Sequence, residues 1–405
     1  MTDLETRVAP PGNALRRAAP ALLGYAAVRA LGLLALALWS AARDKSAYTL
    51  LTARWDSLWY TRVAELGYGY EVRLPNGDVH SNLAFFPLLP WLERGVAAVT
   101  PLSYADAGFA VSLLASLAAA WGIFAVADQV YGRRAGVCAV LVWALLPVGV
   151  VQSMAYSESL FTALAAWSLY AVLTGRWLTA GILAALAGLT RPVGLAVVAA
   201  VWVTGIASFV RNRSTAGAQG ARDPEHAPFA TADGTEGGAP AWRRALGMLL
   251  APLGAAGYVL WVGHRTGKGP LGYLDVQAGW RNGFDGGYAF ARFVADKFTS
   301  FPSALAGVGL IVGVGLVVWL YVVCVRQGQP LPLLVYAGVV TALALCASSY
   351  FGSKPRLLLP AFPLLLPLAL ALARLRTSRS ALVTVGVALA SAVYGAFWLN
   401  GSGPP

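Results

Sequence analysis

Long apolar runs recur along the chain, and polar segments separate them. A run of about 20 apolar residues is long enough to cross a bilayer as a helix. Such runs predict about eleven transmembrane helices, of which the short pair on either side of Arg191 is the least regular. The predicted spans are Ala18–Ala41, Asp106–Tyr131, Ala135–Gln152, Ser157–Thr174, Leu178–Leu189, Val193–Val210, Ala245–Gly263, Ser303–Val325, Leu331–Tyr350, Leu357–Ala373 and Ala381–Trp398. The pattern therefore predicts an all-α polytopic membrane protein.

Three longer polar segments divide the chain. Residues 211–243 are rich in Gly, Ala, Pro and Asp and lack periodicity, so we expect a disordered cytoplasmic linker there. It would separate an N-terminal transmembrane module, residues 1–210, from a C-terminal one, residues 244–405. The first loop, residues 42–104, is expected to carry the active site. The loop 264–302 is either a second surface element or lid over that site, or an ordinary ordered loop.

Arginine on the short loops predicts which side of the membrane each loop faces. One side collects Arg16, Arg17, Arg133, Arg134, Arg176, Arg211, Arg213, Arg243, Arg244, Arg326, Arg374, Arg376 and Arg379. By the positive-inside rule that side is cytoplasmic. Alternation then puts both the first loop and the loop 264–302 outside. The excess of Arg over Lys, with much Ala and Gly, is typical of a GC-rich bacterial genome, so we expect a bacterial cell membrane with the site facing outside.

Composition fits this class and excludes others. The chain is 58% hydrophobic and 12% charged, with a mean hydropathy of +0.63. A net charge of +12 would suggest nucleic acid in a soluble protein. Here the basic residues lie at the ends of spans, so no nucleic-acid partner is predicted. The three cysteines lie in apolar runs, which indicates buried thiols and neither disulfides nor a zinc site. The chain contains no GxxxxGK[ST] loop, no strand-borne GxGxxG and no HExxH helix, so a soluble nucleotide-sugar or ATP site is not supported.

The first loop is too polar to cross a bilayer, yet it is rich in aromatic rings, among them Trp55, Trp59 and Tyr60. Rings with one polar edge are typical of the membrane–water boundary. We therefore predict two short helices along the membrane surface, joined by a turn at residues 75–78. Asp56 lies between two Trp residues at the start of the first. It is either a general base that acts on an acceptor hydroxyl or a helix cap.

Other charged residues on the predicted outer face are candidates for substrate binding. Glu158 opens a span and is either a cap or part of the site. Arg191, Lys354 and Arg356 lie on short outer loops, against the positive-inside trend, where they either clamp a lipid phosphate or extend to the lipid head groups. His80 either polarises a hydroxyl or phosphate or makes a surface hydrogen bond.

Several blocks together carry a family resemblance. Arg54-Trp55-Asp56, Trp59-Tyr60 and Gly67-Tyr68 are followed by Phe85-Phe86-Pro87, then Ser157-Glu158-Ser159 and Thr190-Arg191-Pro192. This order resembles the PIG-V family, the GPI mannosyltransferase II enzymes and their bacterial homologues, within the GT-C membrane glycosyltransferases. The resemblance implies a GT-C-like fold, a polyprenyl- or dolichyl-phosphate mannose donor, an inverting transfer and Asp56 as the base.

The resulting hypothesis is a mannosyltransferase that acts outside the membrane. Asp56 would be the catalytic residue. The substrate-binding residues would be Arg54, Trp55, Trp59, Tyr60, His80, Glu158, Arg191, Lys354 and Arg356. The expected partners are a polyprenyl-phosphate sugar donor, a glycan, glycolipid or protein acceptor, membrane lipids and, as an open option, a small membrane subunit. No cofactor is predicted, and a divalent metal is left open. The alternatives are a transporter or flippase of lipid-linked sugars, or the same fold with another polyprenyl-phosphate sugar.

Overall fold

The computed structural model describes residues 11–220, 240–401 and 403, and it is a bundle of helices with two short antiparallel strand pairs. The helices are α1 (Pro11–Ala41), α2 (Ala47–Thr52), α3 (Asp56–Leu66), α4 (Leu88–Val99), α5 (Tyr104–Tyr131), α6 (Arg133–Ala144), α7 (Ser157–Leu173), α8 (Trp177–Gly188), α9 (Leu195–Gly220), α10 (Ala241–Leu250), α11 (Leu253–Thr266), α12 (Gly272–Gly279), α13 (Tyr288–Asp296), α14 (Ser303–Arg326), α15 (Leu331–Cys346), α16 (Lys354–Leu357), α17 (Leu366–Arg374) and α18 (Thr377–Leu399). The strands are β1 (Glu71–Arg73), β2 (Val79–Ser81), β3 (Gly283–Phe284) and β4 (Ala347–Ser348).

The apolar helices make this chain an integral multi-pass membrane protein. Six helices in the described residues are long and apolar enough to cross a membrane, and the count rises to eight if each of two bent helix pairs is one span. Three further apolar helices are shorter: Ser157–Leu173, Trp177–Gly188 and Leu331–Cys346. Together these segments lie at the positions of all the predicted spans. The predicted total of about eleven crossings is not confirmed, because those three helices fall short of a full crossing.

The central helices pack through small side chains. Gly181 of α8 faces Gly247 of α10, where a Cβ at residue 181 would lie 2.3 Å from the Gly247 carbonyl oxygen. Such close backbone contact is typical of helix pairs in membranes, where packing rather than the hydrophobic effect joins the helices. Helix α14 and helix α18 instead expose rows of Leu and Val side chains, as expected of helices that face lipid.

The first bent pair is stabilised by a buried arginine. Helix α6 and the 3-10 helix Pro147–Ser153 meet at an angle of 90°. The break leaves backbone carbonyls without helical partners, and Arg29 of α1 donates hydrogen bonds to the carbonyl oxygens of Ala144 and Gly149. Arg29 thus finds backbone acceptors inside the bundle, and the bend directs the chain toward residues 156–158.

The first loop differs in part from its prediction. Helices α2, α3 and α4 lie in it, but the turn at residues 75–78 joins strands β1 and β2, not two helices. The strands pair antiparallel, with Val72 opposite His80. Gly77 has φ +87°, and the Asp78 amide donates to Asn76 Oδ1 at 3.1 Å. An Asn-Gly pair between short alternating runs favours a hairpin, and this is the signal that corrects the two-helix prediction.

Two other predicted boundaries change. The predicted span that ends at Tyr350 stops being helical at Cys346, because β4 then pairs with β3 of the loop 264–302. The predicted linker 211–243 has helical ends, since α9 continues to Gly220 and α10 begins at Ala241. Its middle, residues 221–239, lies outside the described residues.

Glu93 of α4 yields a prediction about stability. Its side chain is buried against Gly108 of α5, and its Oε2 atom has no hydrogen-bond partner. Burial raises the pKa of Glu93 well above its ordinary value. The unfolded chain therefore loses this proton at a lower pH than the folded chain. The free energy of unfolding should therefore fall as pH rises above the ordinary pKa of a glutamate, by at most about 1.4 kcal/mol per pH unit.

We expect Glu93→Gln to remove this pH dependence. Thermal unfolding in detergent at pH 5 and pH 8 measures this dependence. The unfolding temperature of the variant should exceed that of the wild type by more at pH 8 than at pH 5. Glu65→Gln, an exposed carboxylate on α3, is the matched control and should change neither value. Equal pH dependence in wild type and Glu93→Gln would show that Glu93 is already ionised in the folded protein.

Candidate active site

Asp56 is the first residue of α3 and follows a sharp turn of the backbone. Trp55 has φ +53°, a conformation that side-chain-bearing residues rarely adopt. The turn is stabilised locally, because the Arg54 amide donates to Ser57 Oγ at 3.0 Å and that hydroxyl donates to the Arg54 carbonyl at 2.6 Å. The Arg54 guanidinium lies over the Trp55 ring, 4.1 Å from its centroid. These contacts stabilise the backbone turn from which the Asp56 side chain extends.

Four charged side chains from distant parts of the chain meet at this carboxylate. We call Asp56, Glu158, Arg191 and Arg356 the ion-pair cluster. Arg356 Nη1 donates to Asp56 Oδ2 at 2.8 Å, and Arg356 Nε lies 3.3 Å from Glu158 Oε1. Arg191 Nη1 lies 2.7 Å from the same Glu158 oxygen. Glu158 therefore bridges the two guanidinium groups, while Asp56 pairs with one of them.

Burial separates the roles that the two carboxylates can play. The Glu158 side chain is 1% exposed and the Asp56 side chain 24% exposed. Arg356 is 9% exposed and Arg191 13% exposed. Two carboxylates and two guanidinium groups balance in formal charge, as a buried ionic group requires. Asp56 is the member of the cluster most open to a substrate, and Glu158 is enclosed as a counter-ion.

Tyr60, Ser157 and Tyr156 surround the ion-pair cluster. The Tyr60 and Ser157 hydroxyl oxygens lie 2.7 Å apart and share a hydrogen bond, and Arg191 Nη1 donates to Ser157 Oγ at 3.0 Å. Burial raises the pKa of Tyr60, so its hydroxyl keeps its proton. The Arg356 guanidinium lies 5.1 Å from the centroid of the Tyr156 ring. The sequence-based site omitted Ser157 and Tyr156, although their position directly before Glu158 at a helix start was a usable signal.

Aromatic side chains form a wall beside the cluster. The Trp59 ring stacks on Phe85 at 5.6 Å and meets the edge of Trp280 at 4.9 Å. The His80 ring stacks on Trp280, with the two ring centroids 4.0 Å apart. Trp280 belongs to the loop 264–302, and its Nε1 donates to the Ser81 carbonyl at 3.0 Å. The loop is therefore ordered and packs on the β1–β2 hairpin next to Trp59.

The family model described as mannosyltransferase (PIG-V) matches residues 37–213. Over this segment the chain is similar to the PIG-V family. This confirms the resemblance that the Trp-Asp, Phe-Phe-Pro and Thr-Arg-Pro blocks predicted. A comparison with curated protein sequences gives no match.

Solved structures with a similar fold include ArnT and the archaeal oligosaccharyltransferase AglB. ArnT from Cupriavidus metallidurans bound to undecaprenyl phosphate has a TM-score of 0.52 at 15% identity, with 91% of this chain and 62% of that chain covered. Apo ArnT from the same organism has a TM-score of 0.48 at 18% identity, with coverages of 81% and 56%. AglB from Archaeoglobus fulgidus, in complex with an inhibitory peptide and a dolichol-phosphate, has a TM-score of 0.47 at 12% identity, with coverages of 94% and 56%. The predicted GT-C-like helical fold is confirmed.

The chain is shorter than these structures and spans 56–62% of their length. Three members of the ion-pair cluster, Asp56, Glu158 and Arg191, lie inside the segment that matches the PIG-V model. Arg356 lies outside that segment, 300 residues from Asp56 along the chain. The candidate site of this PIG-V-like protein therefore combines the matched segment with a short helix from the C-terminal part.

Two predicted site residues of the PIG-V-like chain lie apart from the cluster. Lys354 Nζ donates to the carbonyl oxygens of Ala344 and Ala347, at 2.7 and 2.8 Å, so it binds the end of α15. His80 lies on the hairpin, where burial lowers the pKa of its imidazole. In the described part of the chain, no ion pair of the cluster includes either residue.

The cap interpretations of the two carboxylates find no matching hydrogen bond. The residue before Asp56 and the residue before Ser157 are the N-caps of α3 and α7, and neither helix has a side-chain cap hydrogen bond. Asp56 and Glu158 instead pair with arginine. Among the residues that the structure describes, no group of three or more His, Cys, Asp or Glu side chains is placed to hold a metal ion.

Proposed function

We propose that this protein is a membrane glycosyltransferase that transfers mannose from a polyprenyl-phosphate-mannose donor to an acceptor hydroxyl. The observation that carries the proposal is the ion-pair cluster, in which a partly open carboxylate lies within 2.8 Å of a buried guanidinium. Transfer from a lipid-phosphate sugar needs both groups: a base for the acceptor proton and a cation for the leaving phosphate. The PIG-V match supports mannose as the sugar.

Asp56 is the general base in this proposal. It removes the proton of the acceptor hydroxyl while the acceptor oxygen attacks the anomeric carbon. The bond between that carbon and the phosphate oxygen breaks on the opposite face of the sugar, so one displacement inverts the configuration. The proton ends on Asp56, and the electron pair leaves with the lipid phosphate. The greater exposure of Asp56 relative to Glu158 supports this assignment.

Arg356 and Arg191 stabilise the negative charge that grows on the leaving phosphate. Guanidinium groups bind phosphate oxygens with paired hydrogen bonds, and these strengthen in a site shielded from water. Glu158 holds both arginines through one oxygen, at 2.7 and 3.3 Å. Its role is to position the two cations, and Tyr60 and Ser157 support Arg191 from the side of α3.

The face of the membrane and the donor class are linked. If the arginine-rich short loops are cytoplasmic, Asp56 lies at the outer face of a cell membrane. Soluble nucleotide sugars are not expected there, whereas polyprenyl-linked sugars are. Apolar helices next to the site give a polyprenyl chain a place beside the bundle. The acceptor is a glycan, glycolipid or protein hydroxyl.

The test is a donor panel with purified protein in liposomes. Polyprenyl-phosphate mannose, glucose and arabinose are offered separately, with GDP-mannose as the nucleotide control. We expect product only from the polyprenyl-phosphate donors, with mannose the best, and an inverted anomeric linkage by NMR. Transfer from GDP-mannose alone, or a retained linkage, contradicts the proposal.

A transporter of lipid-linked sugars is the second candidate, because two bent helix pairs reach the cluster. One pair, Arg133–Ala144 with Pro147–Ser153, leads into Glu158, and the other, Phe351–Leu357 with Phe362–Arg374, carries Arg356. Broken helices around charged groups are typical of transport sites. Movement of a fluorescent polyprenyl-phosphate sugar across the liposome bilayer, without product, would favour this candidate.

A further inference from the structure

The contact between Arg356 and Asp56 presents a conflict with the proposed chemistry. Arg356 is the guanidinium nearest to Asp56, and its Nη1 donates to Asp56 Oδ2 at 2.8 Å. A phosphate bound by Arg356 needs donors of the same guanidinium. Its Nε already faces Glu158 at 3.3 Å. Of the two carboxylates on Arg356, Asp56 is 24% exposed and Glu158 1% exposed, so the side of the guanidinium toward Asp56 is the side that a phosphate oxygen can reach.

We propose that Asp56 occupies the phosphate position on Arg356 and that the donor phosphate displaces it. This inference rests on the proposed function and deepens it by assigning the donor-phosphate subsite. Asp56 would be both an internal competitor of the phosphate and the base that the phosphate releases. Donor binding would then precede the removal of the acceptor proton, which gives an ordered reaction with the donor first.

Burial decides which carboxylate exchanges. Glu158 is 1% exposed and pairs with two guanidinium groups, so its departure would leave both cations without their shared counter-ion. Asp56 is 24% exposed and pairs with one. It is the first residue of α3, directly after the turn at Trp55, so its side chain can move without a change in the interior of the helix. Asp56 is thus the exchangeable ligand and Glu158 the fixed one.

Charge is conserved in the exchange. The sugar donor is a phosphodiester with one negative charge, which replaces the one charge of the carboxylate beside Arg356. During transfer Asp56 takes the acceptor proton and becomes neutral, while the lipid phosphate becomes a monoester with a charge of about −1.5 to −2. When this product leaves, Arg356 again needs a counter-ion. Return of Asp56 to Arg356 requires loss of its proton, which resets the site.

The test is the binding of undecaprenyl phosphate to the full-length protein in detergent. Asp56→Asn removes the competing charge, so we expect this variant to bind undecaprenyl phosphate about tenfold more tightly than wild type. Undecaprenol, which lacks the phosphate, should bind both proteins equally. Asp56→Ser is the second variant, and thermal unfolding verifies that each variant is folded. Unchanged or weaker binding of undecaprenyl phosphate by both folded variants overturns the inference.

A double-mutant cycle separates competition from a general effect of charge. The gain in undecaprenyl phosphate affinity from Asp56→Asn should disappear when Arg356 is already replaced by Gln. In that background the Asp56 carboxylate and the phosphate no longer compete for the same guanidinium donor. A gain of the same size in the Arg356→Gln background would indicate a general field effect and overturn the inference. Failure of the proposed function would give a different result: the wild type would transfer no sugar from any polyprenyl-phosphate donor, whatever its affinity for undecaprenyl phosphate.

Discussion

Asp56→Asn is expected to lower the rate of mannosyl transfer by about 10²–10⁴-fold, the range typical of a lost general base. The substitution keeps the size of the side chain and can still accept a hydrogen bond from Arg356, but it cannot take up the acceptor proton. The measurement is transfer in liposomes at saturating donor, with thermal unfolding as the check on folding. Because the variant should also bind the donor phosphate no more weakly than wild type, the loss should lie in kcat.

Asp78→Asn is the matched control for that experiment. Asp78 also accepts from an arginine, Arg281, at 2.6 Å, but this pair joins the β1–β2 hairpin to the loop 264–302 and the arginine is 68% exposed. Its loss should leave transfer within about twofold of wild type, since exposed pairs contribute little. If Asp56→Asn transfers mannose as fast as Asp78→Asn, then Asp56 is not the base, and Glu158 becomes the carboxylate to replace next.

Hydrophobic periodicity predicted the positions of the helices well, because each span must satisfy its own backbone hydrogen bonds in a bilayer. It failed where the chain departs from a single helix. The break between α6 and residues 147–153 depends on Arg29, which reaches the freed carbonyls from another helix. The end of α15 depends on the pairing of β4 with β3, in which Ser348 lies opposite Gly283, 65 residues earlier in the chain. Such long-range contacts leave no periodic signal in the sequence.

Much of the ion-pair cluster was predictable for a physical reason. Arg191 and Arg356 lie on short loops that the positive-inside rule predicts to be outside, where basic residues are uncommon, and charge near a membrane is retained when it has a partner. Their partners, Asp56 and Glu158, were the two carboxylates on the predicted outer face with apolar and aromatic neighbours. The sequence could not predict which carboxylate pairs with which arginine, because Asp56 and Arg356 are 300 residues apart.

Lys354 marks the limit of the same reasoning. It lies two residues before Arg356 on the same segment, which is predicted to be outside, and composition alone cannot separate the two residues. In the structure its ammonium binds the carbonyl oxygens at the end of α15 and lies 4.8 Å from the Phe290 ring centroid. The difference arises because α16 is one turn long, so residues two apart point to different neighbours.

Arg356→Gln should have the second large effect, and it should act on both stability and rate. Removing one partner of a buried pair leaves a charge without its counter-ion, which costs about 3–5 kcal/mol of unfolding free energy. Glu158 keeps Arg191 but loses its second cation, and Asp56 loses its only ion-pair partner in the described structure. Loss of a donor to the leaving phosphate should reduce kcat by about 10²–10³-fold. Thermal unfolding and transfer assays measure the two effects.

Arg281→Gln separates burial from charge in this prediction. Arg281 and Arg356 each donate to an aspartate at 2.6 and 2.8 Å, but they are 68% and 9% exposed. Solvent screens the exposed pair, so its loss should change stability by about 1 kcal/mol or less and leave transfer intact. Arg356→Lys tests geometry: it restores the charge without the paired donors, so it should recover stability more than rate. A folded Arg356→Gln protein with wild-type kcat would remove Arg356 from the reaction and leave Arg191 as the phosphate ligand.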